Sequence, residues 1–297
     1  MHRTALLAGV LAIAVAGCGG SAHHASGPGP ATTPGATRAH QRHRGLQPLP
    51  PAPRRPASGP QRVAVPILMY HVVSTPPPGV PNAALWVSTR LFFEQMHALR
   101  AAGYHAVTMA QVWDGWTGRH ALVSKPVVVS FDDGYLSQYT HAARVLRAMR
   151  WPGVLNLKVG DIGPGGLTKH MVRAMIAAGW EVDAHTITHP DLTTVDAARL
   201  RSEVSGSRAI LRRDFGVPVA FFCYPSGRFD ATVESAVKRA GYLAATTTQP
   251  GLAAPGGDPN ALPRVRVNGG ETAARLMATL RASQVTHPVP GAAASGA

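Results

Sequence analysis

Cysteine is nearly absent: Cys18 and Cys223 are the only two in 297 residues. Cys18 falls in a leader, so the folded part has no partner for an intramolecular disulfide and must rest on packing. Acidic side chains are also few, 15 against 29 Lys and Arg, which leaves a formal charge of +14. Such an excess fits an anionic surface. No zinc-finger spacing and no basic segment interleaved with aromatics is present, so nucleic acid is not an expected partner. No apolar run reaches the length of a membrane-spanning helix, and no internal repeat stands out. What is there is an ordinary hydrophobic fraction of 45%, sufficient for a substantial core.

Met1 to Cys18 opens with His2-Arg3, continues with the apolar run Ala5 to Ala16 and ends in Gly17-Cys18. It reads as a secretory signal. Val15-Ala16-Gly17-Cys18 resembles a bacterial lipobox, which makes Cys18 the lipid-bearing residue of an exported membrane lipoprotein; simple secretion is the alternative. Residues 19–62 follow as a Pro-rich cationic tether with almost no large apolar residue, a composition that cannot offset its own ordering entropy. Its His23, His24, His40 and His43 lack a fixed geometry for a metal. The folded domain is expected over residues 63–283 and a loose tail over 284–297.

Within that domain, strand and helix patterns alternate. Val63 to Tyr70 is an apolar strand ending at His71. Val127-Val128-Val129-Ser130-Phe131 is apolar without alternation, as in a strand covered on both faces, and it ends in Asp132-Asp133-Gly134. Further strands are expected at Val154 to Leu157, Trp180 to Ala184, Val219 to Phe222, Tyr242 to Ala245 and Arg264 to Val267. Helices are expected over Thr89 to Ala102 with Ser88 as cap, Met109 to Trp116 with Thr108 as cap, and Ser137 to Met149. Others are expected over Thr168 to Ala178, Val195 to Phe215, Ala231 to Ala240 and Glu271 to Ala282. Such alternation is an α/β fold. Ligands of parallel sheets gather at the carboxyl ends of the strands, the address of His71, Asp132 and Asp133.

His185-Thr186-Ile187-Thr188-His189-Pro190 is a second polar cluster at a strand end. Its β-branched residues and Pro190 argue for a loop rather than a helix. Taken singly, Asp-Asp-Gly is also a polar turn and the histidine pair also two loop residues. Two imidazoles and a carboxylate at the ends of different strands together suit one divalent metal.

These residues resemble the polysaccharide deacetylases with a NodB-homology domain, carbohydrate esterase family 4. The family's Phe-Asp-Asp-Gly strand end is matched by Phe131-Asp132-Asp133-Gly134, and its His-Ser/Thr-x-x-His motif by His185 to His189. Its Arg-x-Pro-Tyr/Phe-Gly motif is matched only loosely, by Cys223-Tyr224-Pro225-Ser226-Gly227. The resemblance implies a distorted (β/α) barrel. It implies Asp133, His185 and His189 as ligands of a divalent metal, usually zinc, with cobalt or nickel compatible with the same donors. Asp132 is implied as general base, a backbone N–H around Ser226 as an oxyanion donor, and Tyr224 as a groove residue.

The chain departs from the family twice. The usual C-terminal Leu-x-His acid is missing, with only His287 in that region. Leu68-Met69-Tyr70-His71 is instead similar to the opening motif of the subgroup that includes biofilm poly-N-acetylglucosamine deacetylases, which implies His71 as the acid. Cys223 stands where many relatives carry an Arg against the catalytic Asp. Arg264 or Arg266 is expected to replace it; Arg266 is preferred, although alternation puts both on one face. Trp180 reads equally as groove or core. The implied activity is removal of N-acetyl groups from an N-acetylglucosamine-containing envelope polysaccharide, either peptidoglycan or exopolysaccharide. An O-acetyl esterase and a noncatalytic glycan-binding lipoprotein are the alternatives.

Overall fold

The computed structural model describes residues 59–286. The leader with its Cys18 lipobox, most of the tether, His287 and the rest of the tail lie outside the described residues. Packing begins slightly before Val63: Gln61 N–H donates to Gly115 O at 2.9 Å, and Trp116 Nε1 donates to Val63 O at 2.8 Å.

Seven parallel strands form the frame: β1 (Ile67–Tyr70), β2 (Pro126–Asp132), β3 (Val154–Leu157), β4 (Glu181–Ala184), β5 (Phe221–Cys223), β6 (Ala244–Pro250) and β7 (Leu262–Arg266). They follow one another around a barrel that closes where β1 pairs with both β7 and β2. Around it lie α1 (Thr89–Ala101), α2 (Met109–Trp116), α3 (Ala143–Ala148), α4 (Lys169–Ala177), α5 (Ala197–Arg201), α6 (Ser207–Phe215), α7 (Ala231–Arg239) and α8 (Ala273–Thr286). The expected α/β barrel is therefore the observed one.

Strand alternation sorts the side chains into two layers. Val127, Val129 and Phe131 face outward into a core shared with Phe92, Met96 and Leu99 of α1 and with Val172 and Met175 of α4. Aromatic contacts tie this layer together: Tyr70 meets Phe92 edge-on at 5.1 Å, and Phe131 lies 5.3 Å from Trp180. Trp180 is thus a core residue; a Cβ on Gly153 would sit 2.5 Å from its ring. The inward residues Ile67, Val128, Val154, Phe221, Ala244 and Leu262 fill the amino-terminal end of the barrel, which α2 plugs with Met109, Val112 and Trp116. Above this apolar floor, inward positions such as Ser130, Asp132 and Arg264 carry polar side chains that are almost wholly buried.

Helix starts follow the side-chain caps. Ser88 Oγ accepts from Leu91 N, and Thr108 and Gln111 form a reciprocal capping box. Two expected helices are interrupted. That over Ser137 to Met149 opens with a π turn at Gln138–Ala142, and that over Val195 to Phe215 contains one at Ser202–Gly206. The buried polar side chains in these wide turns, Gln138 and Glu203, reach back to the loops of the site. The strand expected from Tyr242 is Ala244–Pro250; Tyr242 instead lies under the Arg208 guanidinium and donates to Val204 O. A two-residue pairing of Val72–Val73 with Trp86–Val87 was not legible in the Pro-rich segment.

One inward carboxylate is poorly satisfied. Asp183 Oδ1 accepts from Phe221 N at 3.2 Å, but its buried Oδ2 meets no donor. Burial, and then the charge of Glu181, raises its pKa well above the usual carboxylate range. An acid raised in this way penalises the fold increasingly as pH climbs above the ordinary carboxylate value. Asp183→Asn is expected to add about 1–3 kcal/mol near neutral pH and above, with a smaller gain in mild acid. Urea midpoints at about pH 8 and pH 5 check this, and an unchanged midpoint at the higher pH rejects it.

Candidate active site

The carboxyl ends of the strands open into a cleft of about 490 Å³ lined by His71, Asp132, Asp133, His185, His189, Arg264 and Arg266, among others. Among the described residues, those singled out from sequence border it except Trp180 and Cys223, but they do so at different depths.

Asp132 is the more deeply buried of the two adjacent aspartates, 2% exposed. Arg264 grips it with two parallel bonds, Nη1 to Oδ1 and Nη2 to Oδ2, both 2.8 Å, the strongest geometry available to this pair. Asn156 Nδ2 adds a bond to Oδ1 at 2.7 Å, because parallel register sets Asn156 beside Asp132. Burial alone would raise the Asp132 pKa; the Arg264 charge and bonds outweigh it and hold the carboxyl well below its usual range. It is ionised at neutral pH.

The arginine on Asp132 is Arg264, which corrects the preference for Arg266. Both border the cleft, so the shared face was read properly. Alternation fixes face but not depth: Arg264 is 1% exposed inside the barrel, whereas Arg266, one step nearer the mouth, is exposed. Arg264 Nη2 also lies 3.2 Å from the buried Cys223 Sγ. A small residue at 223 leaves space for a guanidinium arriving from β7.

His71 faces Asp132 from β1, with Nε2 3.8 Å from Oδ2. Burial lowers its pKa, while Asp132 and Asp133 pull it upward without restoring the ordinary value. Gln138 Nε2 donates to both His71 O and Asp132 O, at 3.0 and 2.7 Å. One buried amide thereby holds the two strand ends together.

Asp133 has left-handed backbone, φ 73°, which Asp tolerates better than most residues. This turns its side chain away from Asp132. Its Oδ1 lies 3.5 Å from His185 Nε2 and 3.8 Å from His189 Nε2. The donor atoms of the three all fall within 4.8 Å of one another. His185 Nδ1 lies 2.7 Å from Cys223 O; a carbonyl only accepts, so Nδ1 carries a proton. Burial opposes further protonation of His185, but the Cys223 sulfur and the two aspartates outweigh it and push the pKa up to about 10. A second set, Asp132, His185 and Cys223, is equally compact. It suits a cation poorly, since Arg264 already neutralises Asp132 and borders the sulfur. The carboxylate and two Nε2 atoms of the first set have the donor chemistry that a zinc-like cation takes.

Tyr224 is corrected as a groove residue. Its atoms border the cleft, yet the side chain is fully buried, stacked on Phe229 at 4.5 Å and edge-on to Phe222. No ring face is left for a sugar. Ser226 does border the cleft, in left-handed backbone with φ 53°.

Sequence reasoning missed Tyr135, Asn156, Lys158 and Asp161. Tyr135, at the cleft rim, donates to Asp133; burial and that carboxylate push its pKa up to about 12. Lys158 pairs with Asp161 at 2.9 Å. Asn156 was detectable as the one polar residue in Val154-Leu155-Asn156-Leu157; the others had no signal apart from following strand ends.

The closed parallel barrel thus carries at its mouth a carboxylate gripped by an arginine and, beside it, a carboxylate and two imidazoles that could hold a metal ion. A polysaccharide deacetylase family model matches residues 120–245. The chain is 30% identical over 207 residues to YxkH of Bacillus subtilis, a protein under the polysaccharide deacetylase name, covering 69% of this chain and 72% of that one. It is 43% identical over 68 residues to the Escherichia coli poly-beta-1,6-N-acetyl-D-glucosamine N-deacetylase, only 23% of this chain and 10% of that one. Among solved structures, the Streptococcus pyogenes deacetylase PplD in complex with acetate superposes with TM-score 0.69 at 25% identity, covering 74% of this chain and 99% of that chain. The chain belongs to the polysaccharide deacetylase family.

Proposed function

We propose that this enzyme removes N-acetyl groups from an N-acetylglucosamine-containing polymer of the cell envelope, with a divalent metal held by Asp133, His185 and His189. The observation that carries the reading is the division between two adjacent aspartates. Asp133 faces two imidazoles, whereas Asp132 is kept ionised by Arg264 and faces His71. A protein that only binds glycan has no use for a carboxylate maintained in this way.

Zinc, or cobalt or nickel, held there would supply a water acidified toward neutrality and a Lewis acid for the acetyl carbonyl. Asp132, kept ionised beside the site, would take the proton from the water that attacks the amide carbon. Its low pKa makes it a weak base, so the proton is held only briefly. His71, neutral at rest and 3.8 Å from Asp132, collects a proton and delivers it to the departing nitrogen. A backbone N–H at the Ser226 turn serves the oxyanion. The short match to the Escherichia coli enzyme supports a poly-N-acetylglucosamine-like substrate, with peptidoglycan as the other polymer. The leader-like start and the lipobox-like run ending at Cys18 support a reading in which the domain lies outside the cytoplasm on a lipid anchor.

The test is acetate release by zinc-loaded protein from N-acetylglucosamine oligomers, beside an O-acetylated glycan. Asp132→Asn is expected to lower amide turnover by about 10²–10⁴-fold. Equal release by both proteins removes Asp132 as base. Release confined to the O-acetylated glycan assigns an esterase, and none from any acetylated glycan favours the binding protein.

A further inference from the structure

The loop from His185 to His189 is held in a shape it would not adopt unaided. Thr186 and His189 both have left-handed backbone, at φ 65° and 61°, which is particularly unfavourable for a β-branched threonine. On one side, Val159 N and Gly160 N donate to Thr186 O and Ile187 O at 3.1 and 2.8 Å. A Cβ on Gly160 would lie 2.8 Å from Ile187 O, so the approach needs glycine. Within the loop, Thr186 Oγ1 accepts from His189 N at 2.9 Å.

The remaining side is held by Glu203. Its Oε2 accepts from Ile187 N and Thr188 N, at 2.8 and 2.9 Å, and its Oε1 accepts from Thr188 Oγ1 at 2.5 Å. Glu203 is 4% exposed and lies in the π turn between α5 and α6, a helix irregularity that often marks a functional constraint. Among the described residues its charge is met by the more exposed Arg199, at 3.9 Å. A buried carboxylate that takes three donors from the segment joining His185 to His189 fixes where both imidazoles stand.

We infer that Glu203 is a positioning residue for the metal site: by satisfying Ile187 N, Thr188 N and Thr188 Oγ1 it holds His185 and His189 converged on Asp133. This rests on the proposed metal reading. Such outer-shell partners are worth about 10–100-fold in metal affinity.

The experiment is zinc affinity of the full chain by competition with a chromophoric chelator, with folding followed by near-ultraviolet circular dichroism. Glu203→Ala is expected to bind zinc about 10–100-fold more weakly while retaining the wild-type spectrum. Glu203→Asp keeps the charge but withdraws the oxygens, so it is expected to weaken zinc comparably; it carries the comparison if the alanine variant does not fold. Glu203→Gln can accept from both N–H groups through its oxygen and donate to Thr188 Oγ1, and is expected to restore near wild-type affinity. Unchanged affinity in a folded Ala or Asp variant overturns the inference. Equal losses in Gln and Ala overturn it too, because charge rather than hydrogen-bond geometry would then be responsible. Wild-type protein that binds no zinc overturns the metal reading itself, a result distinct from either.

Discussion

Arg264→Leu is expected to destabilise the protein by about 3–5 kcal/mol near neutral pH and to remove most of its deacetylase activity. The cost is not the loss of an attraction between exposed charges. Arg264 and Asp132 are 1% and 2% exposed, and leucine leaves the carboxylate in the barrel with Asn156 as its remaining strong donor. In the native protein the Asp132 pKa is depressed. Its contribution is therefore present above the ordinary carboxylate range and lost only as pH falls through the lower folded value. In the variant burial prevails and the pKa moves above the ordinary range, so the same group becomes a penalty that grows with pH. The stability gap should be wide at about pH 8 and should narrow toward about pH 4. Urea unfolding of chelator-treated protein across that span measures it. Arg264→Lys separates charge from geometry, since an ammonium keeps the charge but not the planar fork. A leucine variant as stable as wild type at the higher pH would show that the pair does not support the fold.

The contrast between Arg264 and Arg266 marks where sequence reading stops. Apolar runs ending in His71 and Asp132-Asp133 were visible because a buried strand is a short apolar run with an abrupt polar end. Helix starts were visible because caps such as Ser88 and Thr108 act within three residues of themselves. Depth within a barrel has no such local mark. It depends on the stagger between strands, and β7 carries a register irregularity between Leu262 and Arg264. Tyr224 failed for a related reason: a motif position predicts proximity to the cleft, but Phe222 and Phe229 decide which way its ring packs. Gln138 and Glu203 were hidden inside helical patterns, and their partners are set by tertiary contact. Asn156 was recoverable, since a lone amide in an apolar strand requires a buried partner.

The sharpest separation of roles compares Asp133→Asn with Asp132→Asn. Asparagine tolerates left-handed backbone, so the φ of 73° at position 133 is kept and the fold should be little affected. What disappears is the anionic oxygen shared by His185 and His189. Zinc affinity is expected to fall steeply, and turnover by about 10³-fold or more, the rate equivalent of the several kcal/mol that a metal supplies to such a reaction. Asp132→Asn, by contrast, should bind zinc nearly as well as wild type and still lose turnover, because position 132 is committed to Arg264 rather than to the imidazoles. Chelator treatment of wild type should reproduce the Asp133→Asn loss and be reversed by added zinc. Affinity also has a predicted pH sign. His185 is pushed up to about 10 in the metal-free protein, so binding must expel a proton and should weaken as pH falls, by up to about tenfold per unit for one proton. Competition titrations at about pH 7 and pH 8 read both effects. Wild-type affinity in Asp133→Asn would remove that carboxylate from the metal site.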